Sequence, residues 1–205
     1  MRTPALLSLL VLACTGCAST LLGPNGDTLE VYRLDVAAVP GAAARLPLVL
    51  VVSRPRAAPS LDTGRIAVVQ PDSRFDYFAG MRWSDAAPQM LQPLLVNALQ
   101  SGGRYEAVLA APSRAAADLL LEVELRRFEA AYAAVGAAPR VRVEMHATLV
   151  DARRGQRISS LLASAEAEAA ANRRGEVVAA FERATVEAIG EIVTWLGSVE
   201  QSSAD

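Results

Sequence analysis

The amino-acid sequence predicts an α/β fold in three layers, with a mixed sheet of about five or six strands covered by a central helix over 86–101 and a long C-terminal helix over 174–197. Three observations carry that prediction. Pro47–Ser53 (PLVLVVS) is an unbroken apolar run, the pattern of a strand buried on both faces and so of a sheet with helices on each side. Arg140–Val150 alternates strictly: Val141, Val143, Met145, Ala147 and Leu149 face one way, Arg140, Arg142, Glu144, His146 and Thr148 the other. Two segments, around Met90–Leu99 and Val178–Leu196, carry apolar stripes at helical spacing.

At the N-terminus, Met1 and Arg2 precede an apolar core from Pro4 to Ala13 that is too short to span a bilayer as a helix, so residues 1–16 read as a signal peptide. In Val11-Leu12-Ala13-Cys14-Thr15-Gly16-Cys17-Ala18-Ser19 a small residue stands directly before each cysteine, as in the lipobox of bacterial lipoproteins. That pattern supplies a thiol to receive a diacylglycerol and small side chains for the peptidase. Cys17 gives the more usual signal length and is the preferred attachment point; Cys14, with Val11 three before it, is the alternative. Neither is followed by aspartate, which points to the outer membrane, with a lipid-anchored domain in the periplasm. Several acyl chains anchor stably where one is marginal. Since no cysteine follows Cys17, the mature domain forms no internal disulfide and has no thiolate for a metal. Residues 17–29 lack periodicity and form a tether, whose dozen residues reach at most ~40 Å.

The domain is expected over 30–197. Glu30–Val36 alternates as a first strand, and Arg65–Gln70, a Gln70–Ser73 turn and Phe75–Trp83 make a strand pair. Ser84 or Asp85 is placed to cap the central helix, Pro88 sits harmlessly in its first turn, Pro93 should kink or restart it, and Gly102-Gly103 ends it. Tyr105–Ala110 is a short strand. Ala117–Tyr132 is a long one, with Glu122, Glu124 and Arg126 opposite Val123 and Leu125, and its length suggests an edge or protruding hairpin. Asp151–Gln156 turns the chain, and Arg157–Glu168 returns beside the alternating strand. Asn172 is a reasonable cap for the last helix, Gly190 suggests close packing in its middle, and 198–205 reads as a polar tail.

Composition excludes some functions. The formal net charge is −2 over 205 residues, and all twenty basic residues are arginine, so no basic groove for nucleic acid is implied. His146 is the sole histidine and lies among the outward residues of a regular strand. There is no G-x-S-x-G, P-loop or H-E-x-x-H pattern, so no enzyme, metal or cofactor is expected. Glu122 with Glu124, and Glu166 with Glu168, read as solvated strand faces.

One stretch holds four of the ten aromatic residues, Phe75, Tyr77, Phe78 and Trp83, within nine positions. Around it run Leu61-Asp62-Thr63-x-Arg65-Ile66 and then Tyr77-Phe78-Ala79-Gly80-x-Arg82-Trp83-x-Asp85-x-x-Pro88-x-Met90-Leu91. These two signatures in order, with Tyr32-x-Leu34 before them, resemble the ABC-type transport auxiliary lipoproteins of the PqiC type. The resemblance covers about residues 30 to 197 and implies a fold of this kind. It also implies a role: members accompany an ABC transporter and an MCE-type substrate-binding protein in moving lipids between the inner and outer membranes of diderm bacteria. This chain would be the outer-membrane-anchored, non-catalytic docking or assembly component. Leu61, Asp62, Thr63, Arg65, Tyr77, Arg82 and Trp83 are then the candidate contact with a transport partner or with further copies of the chain, since aromatic and arginine groups anchor interfaces. Phe75, Phe78 and Trp83 read first as core between sheet and helix, and only second as partner contact. A free-standing lipid- or small-molecule-binding lipoprotein is the alternative function, and a cell-envelope hydrolase a third.

Overall fold

Short apolar runs broken by turn residues give the first half of the sheet, and the long alternating runs give the second. In a computed structural model, which describes residues 29–35 and 45–202, these are β1 (Glu30–Tyr32), β2 (Leu46–Val52), β3 (Arg56–Ala57), β4 (Arg65–Val69) and β5 (Phe75–Trp83). After α1 (Ala87–Ser101) come β6 (Tyr105–Ala110), β7 (Leu119–Ala131), β8 (Arg140–Asp151), β9 (Gln156–Glu168) and α2 (Arg174–Ser202). The α/β class, the mixed sheet and the two covering helices are as the sequence predicts. Among the described residues the sheet has nine strands, more than predicted, because pieces as short as the two residues of β3 find a partner.

That partner is β7. The sequence suggests an edge or protruding hairpin here, yet β7 is the central strand. Along one side it receives β2, β3 and β4 in succession, all parallel, through Leu50 opposite Leu119, Arg56 opposite Glu124 and Ala67 opposite Glu129. Along its other side it pairs antiparallel with β8, which pairs with β9. Its length serves three short strands laid end to end. β6 adds to β2, while β5 and then β1 add to β4.

Among the described residues, no helix packs on the second face of the sheet. The inward residues of β7 (Leu121, Val123, Leu125, Phe128) and of β8 (Val141 to Leu149) join α1 and α2 in one core, so both helices lie on the same face. Opposite lies a polar face on which Arg140 reaches Glu168 at 2.5 Å, Arg142 reaches Glu166 at 3.2 Å and Arg127 reaches Glu144 at 3.7 Å. Such half-exposed pairs contribute ~0–1 kcal/mol each, and their effect is to keep that face wet. Only the end of the β2 run is buried, Leu50 to Val52, with Val51 7% exposed beside β6 and β7; Pro47 is exposed and Leu48 and Val49 are half-buried.

Helix ends depart from expectation in informative ways. Neither Ser84 nor Asp85 caps α1; the N-cap is Ala86, and the Ser84 hydroxyl donates to the Asp85 carboxylate at 3.0 Å. The Ala87 N–H instead donates to the Thr63 carbonyl at 3.1 Å, so a loop from elsewhere in the chain satisfies it. α1 runs unbroken through Pro93 and ends at Gly102 and Gly103, the latter at φ +64°. Asn172 does not cap α2. It accepts a hydrogen bond from the Tyr132 hydroxyl at 2.7 Å, tying the helix approach to the end of β7. Gly190 faces open space, not a close neighbour, and α2 continues through Ser198 into the stretch that reads as tail.

Candidate functional site: a cleft beside the β4–β5 pair

The loop before β4 is built by its own backbone. The Ala58 carbonyl accepts from the N–H groups of Leu61 and Asp62 at 2.8 and 2.9 Å, and the Thr63 hydroxyl accepts from the Arg65 N–H at 3.2 Å. Leu61 drops into the core, 6% exposed, and Asp62 is held at the surface by Arg54 at 2.6 Å. Gly64 lies close to β5: its carbonyl accepts from the Trp83 N–H at 2.7 Å, and an added Cβ would stand 3.1 Å from the Arg82 guanidinium, which would have to shift slightly.

β5 then does something its alternation hides. Ala67 pairs with Tyr77 and Arg65 with Arg82, so β5 spends five residues where β4 spends two. The surplus bulges around Gly80 at φ +70°, as extra residues in a strand re-aim the side chains beside them. Between bulge and loop opens a cleft of 340 Å³. Thr63, Arg65 and Arg82 line one part of it, Leu29, Phe78 and Met81 another, and Gly64 and Gly80 complete it. Arg65 lies over the Tyr77 ring, 3.6 Å from its centroid, and Tyr77 is itself fixed by its hydroxyl donating to the Ser60 carbonyl at 3.1 Å. Arg82 Nε donates to the Trp83 carbonyl at 3.1 Å.

The seven predicted contact residues thus meet around one feature but do not share one surface. Thr63, Arg65 and Arg82 line the cleft, Tyr77 lies under Arg65, and Asp62 is on the adjoining surface. Leu61 and Trp83 are buried; Trp83, 1% exposed, packs on Phe128 at 5.6 Å and Phe181 at 5.1 Å between ring centroids. They support the cleft from beneath. Cys14 and Cys17 lie outside the described residues. Sequence reasoning missed Gly80 as the residue that opens the cleft, although a glycine inside a strand pattern is the ordinary sign of a bulge. It also missed Glu30, which pairs with Arg174 at 2.7 Å and joins β1 to the start of α2. Tyr32 donates to Glu30 as well, and that bond, with Arg174, holds the Glu30 carboxyl below its ordinary range.

The pattern of the ABC-type transport auxiliary lipoprotein component matches residues 32–193, most of the chain. The chain belongs to that family. A Xanthomonas campestris protein of known crystal structure shares its architecture with a TM-score of 0.76 at 26% identity, over 85% of this chain and 99% of that one. A second, uncharacterised protein superposes with a TM-score of 0.65 at 17% identity, over 82% of this chain and 99% of its own, a likeness of fold alone. An uncharacterised protein of Bradyrhizobium diazoefficiens is 27% identical over 154 residues, 75% of this chain; the chain spans 41% of that relative's length. As an auxiliary transport lipoprotein, the chain brings no catalytic family with it. Among the described residues there is no group of three or more histidine, cysteine, aspartate or glutamate side chains placed to hold a metal, and no helix long and apolar enough to cross a membrane.

Proposed function

We propose that this auxiliary lipoprotein is the outer-membrane-anchored component of an ABC/MCE-type lipid transport system, a non-catalytic docking or assembly element between the two membranes. The observation that carries the reading is one of order along the chain: the family match over 32–193 follows directly on a lipobox sequence and a short tether. Cys17, or in its place Cys14, carries the acyl chains. The domain then hangs in the periplasm within ~40 Å of the membrane, the reach of a dozen extended residues. Its partners are an MCE-type substrate-binding protein and the ABC transporter components, with further copies of the chain as a further partner. Asp62, Thr63, Arg65, Tyr77 and Arg82 form the contact, with Leu61 and Trp83 holding them in place from the core.

The test is a crosslinking pull-down from envelope membranes with the full-length protein, run beside Cys17→Ala and Cys14→Ala. Recovery of an MCE-type protein together with outer-membrane fractionation, the latter abolished by one of the two cysteine substitutions, is the expected outcome and identifies the anchor. Continued outer-membrane fractionation with no transport component recovered would overturn the docking role and favour a free-standing ligand-binding lipoprotein.

A further inference from the structure

Arg65 and Arg82 stand directly opposite each other on the antiparallel β4–β5 pair. Side chains at such positions share a face with Cβ atoms ~5 Å apart, and like charges there are destabilising. A charged pair of this kind ordinarily brings in a carboxylate, but here each nearby acid is already engaged. Asp62 is held by Arg54 at 2.6 Å, Glu30 by Arg174 at 2.7 Å, and the Asp85 carboxylate accepts from Ser84. Among the described residues neither Arg65 nor Arg82 makes an ion pair, and no acid lines the cleft they share.

Both guanidinium groups are nonetheless held in place. Arg65 is stacked at 3.6 Å on a tyrosine that is itself pinned, and Arg82 is fixed through Nε on the Trp83 carbonyl. Holding each by one face or one nitrogen leaves most of its five N–H donors unspent. Two positive charges with a double fork of donors suit a ligand bearing more than two acceptor oxygens. A phosphate group meets that demand, whereas a lone carboxylate is matched by a single arginine.

We propose that this cleft is an anion site that binds a phosphate group between Arg65 and Arg82. Two sources supply the same chemistry: a phospholipid headgroup and free phosphate. The cleft favours the first, because its remaining wall is apolar, formed by Leu29, Phe78 and Met81. Leu29 is also the last residue of the expected tether, so the site sits where the chain would come in from its anchor. The site rests on this geometry and holds whether or not the protein docks a transporter.

Calorimetric titration of the full-length protein in neutral detergent tests it, with inorganic phosphate and a short-chain phosphatidylglycerol as separate titrants. Saturable binding of the phosphatidylglycerol is expected, weakened at least tenfold by Arg82→Gln and by Arg65→Gln, with Arg82→Lys between wild type and Arg82→Gln. Circular dichroism of each variant checks the fold, and Arg65, stacked at the surface, gives a readout even where Arg82→Gln is unstable. Saturable binding of inorganic phosphate alone, with the same dependence on both arginines, supports the site and assigns it to free phosphate. Binding indifferent to both substitutions, or no saturation by either titrant at millimolar concentration, overturns it.

Discussion

Trp83→Ala is expected to lower the unfolding free energy by about 3–5 kcal/mol, the range for removing a large aromatic side chain from a packed core. Trp83 is 1% exposed and meets Phe128 and Phe181, which meet each other at 4.9 Å, so the three rings form a closed triangle joining β5, β7 and α2. The cavity left behind would lie under the cleft, so Arg82 would lose its footing as a secondary effect. Urea denaturation followed by far-ultraviolet circular dichroism measures the change. If the loss were below about 1 kcal/mol while partner recovery disappeared, Trp83 would be a contact residue after all and its burial in the triangle would be of no consequence.

Gly80→Val is expected to cost about 1–3 kcal/mol, since a β-branched residue must adopt φ near +70° at that position. A second effect adds to the first. The new Cβ would come within 2.8 Å of the Arg174 guanidinium, which must swing aside and loosen its 2.7 Å pair with Glu30. Gly80→Ala keeps the clash and relieves the branching, so it should fall at the lower end. Denaturation midpoints of the two variants against wild type decide the matter; equal stability of all three would mean that the bulge is free to rearrange.

What the sequence makes legible follows from where a single local rule governs. Arg140–Asp151 is readable because one face is core and the other solvent, and the same alternation explains why β7 is readable as a strand. Its place at the centre is not readable, because that depends on three segments 62 to 69 residues earlier in the chain finding its edge, and alternation carries no information about neighbours. The layering misleads for a related reason. An apolar run such as Pro47–Ser53 reports burial without saying what does the burying, and here part of it falls to neighbouring strands. Asn172 has the chemistry of a cap and is used by Tyr132 instead, a tertiary demand overriding a local preference. At the candidate site, arginine and aromatic content is visible in the chain, but the separation of Leu61 and Trp83 from Arg65 and Arg82 depends on which way β5 turns each residue, and the bulge resets that direction at Gly80.

On the proposed anchoring through the N-terminus, the pairing of β1 would have a mechanical meaning. Tension applied through the tether reaches Leu29 and then β1, which is joined to β5 by three registered residues and to α2 by the Glu30–Arg174 pair. Behind it, β7 and β8 share a ladder of twelve registered residues. β1 is therefore the weak link in the load path: under a pulling force it should detach as a short early extension ahead of the main rupture, and a single rupture without that precursor would count against the idea. Its release would carry Leu29 away from the cleft wall and expose the outer edge of Met81–Trp83, so strain on the anchor and the shape of the arginine cleft would change together.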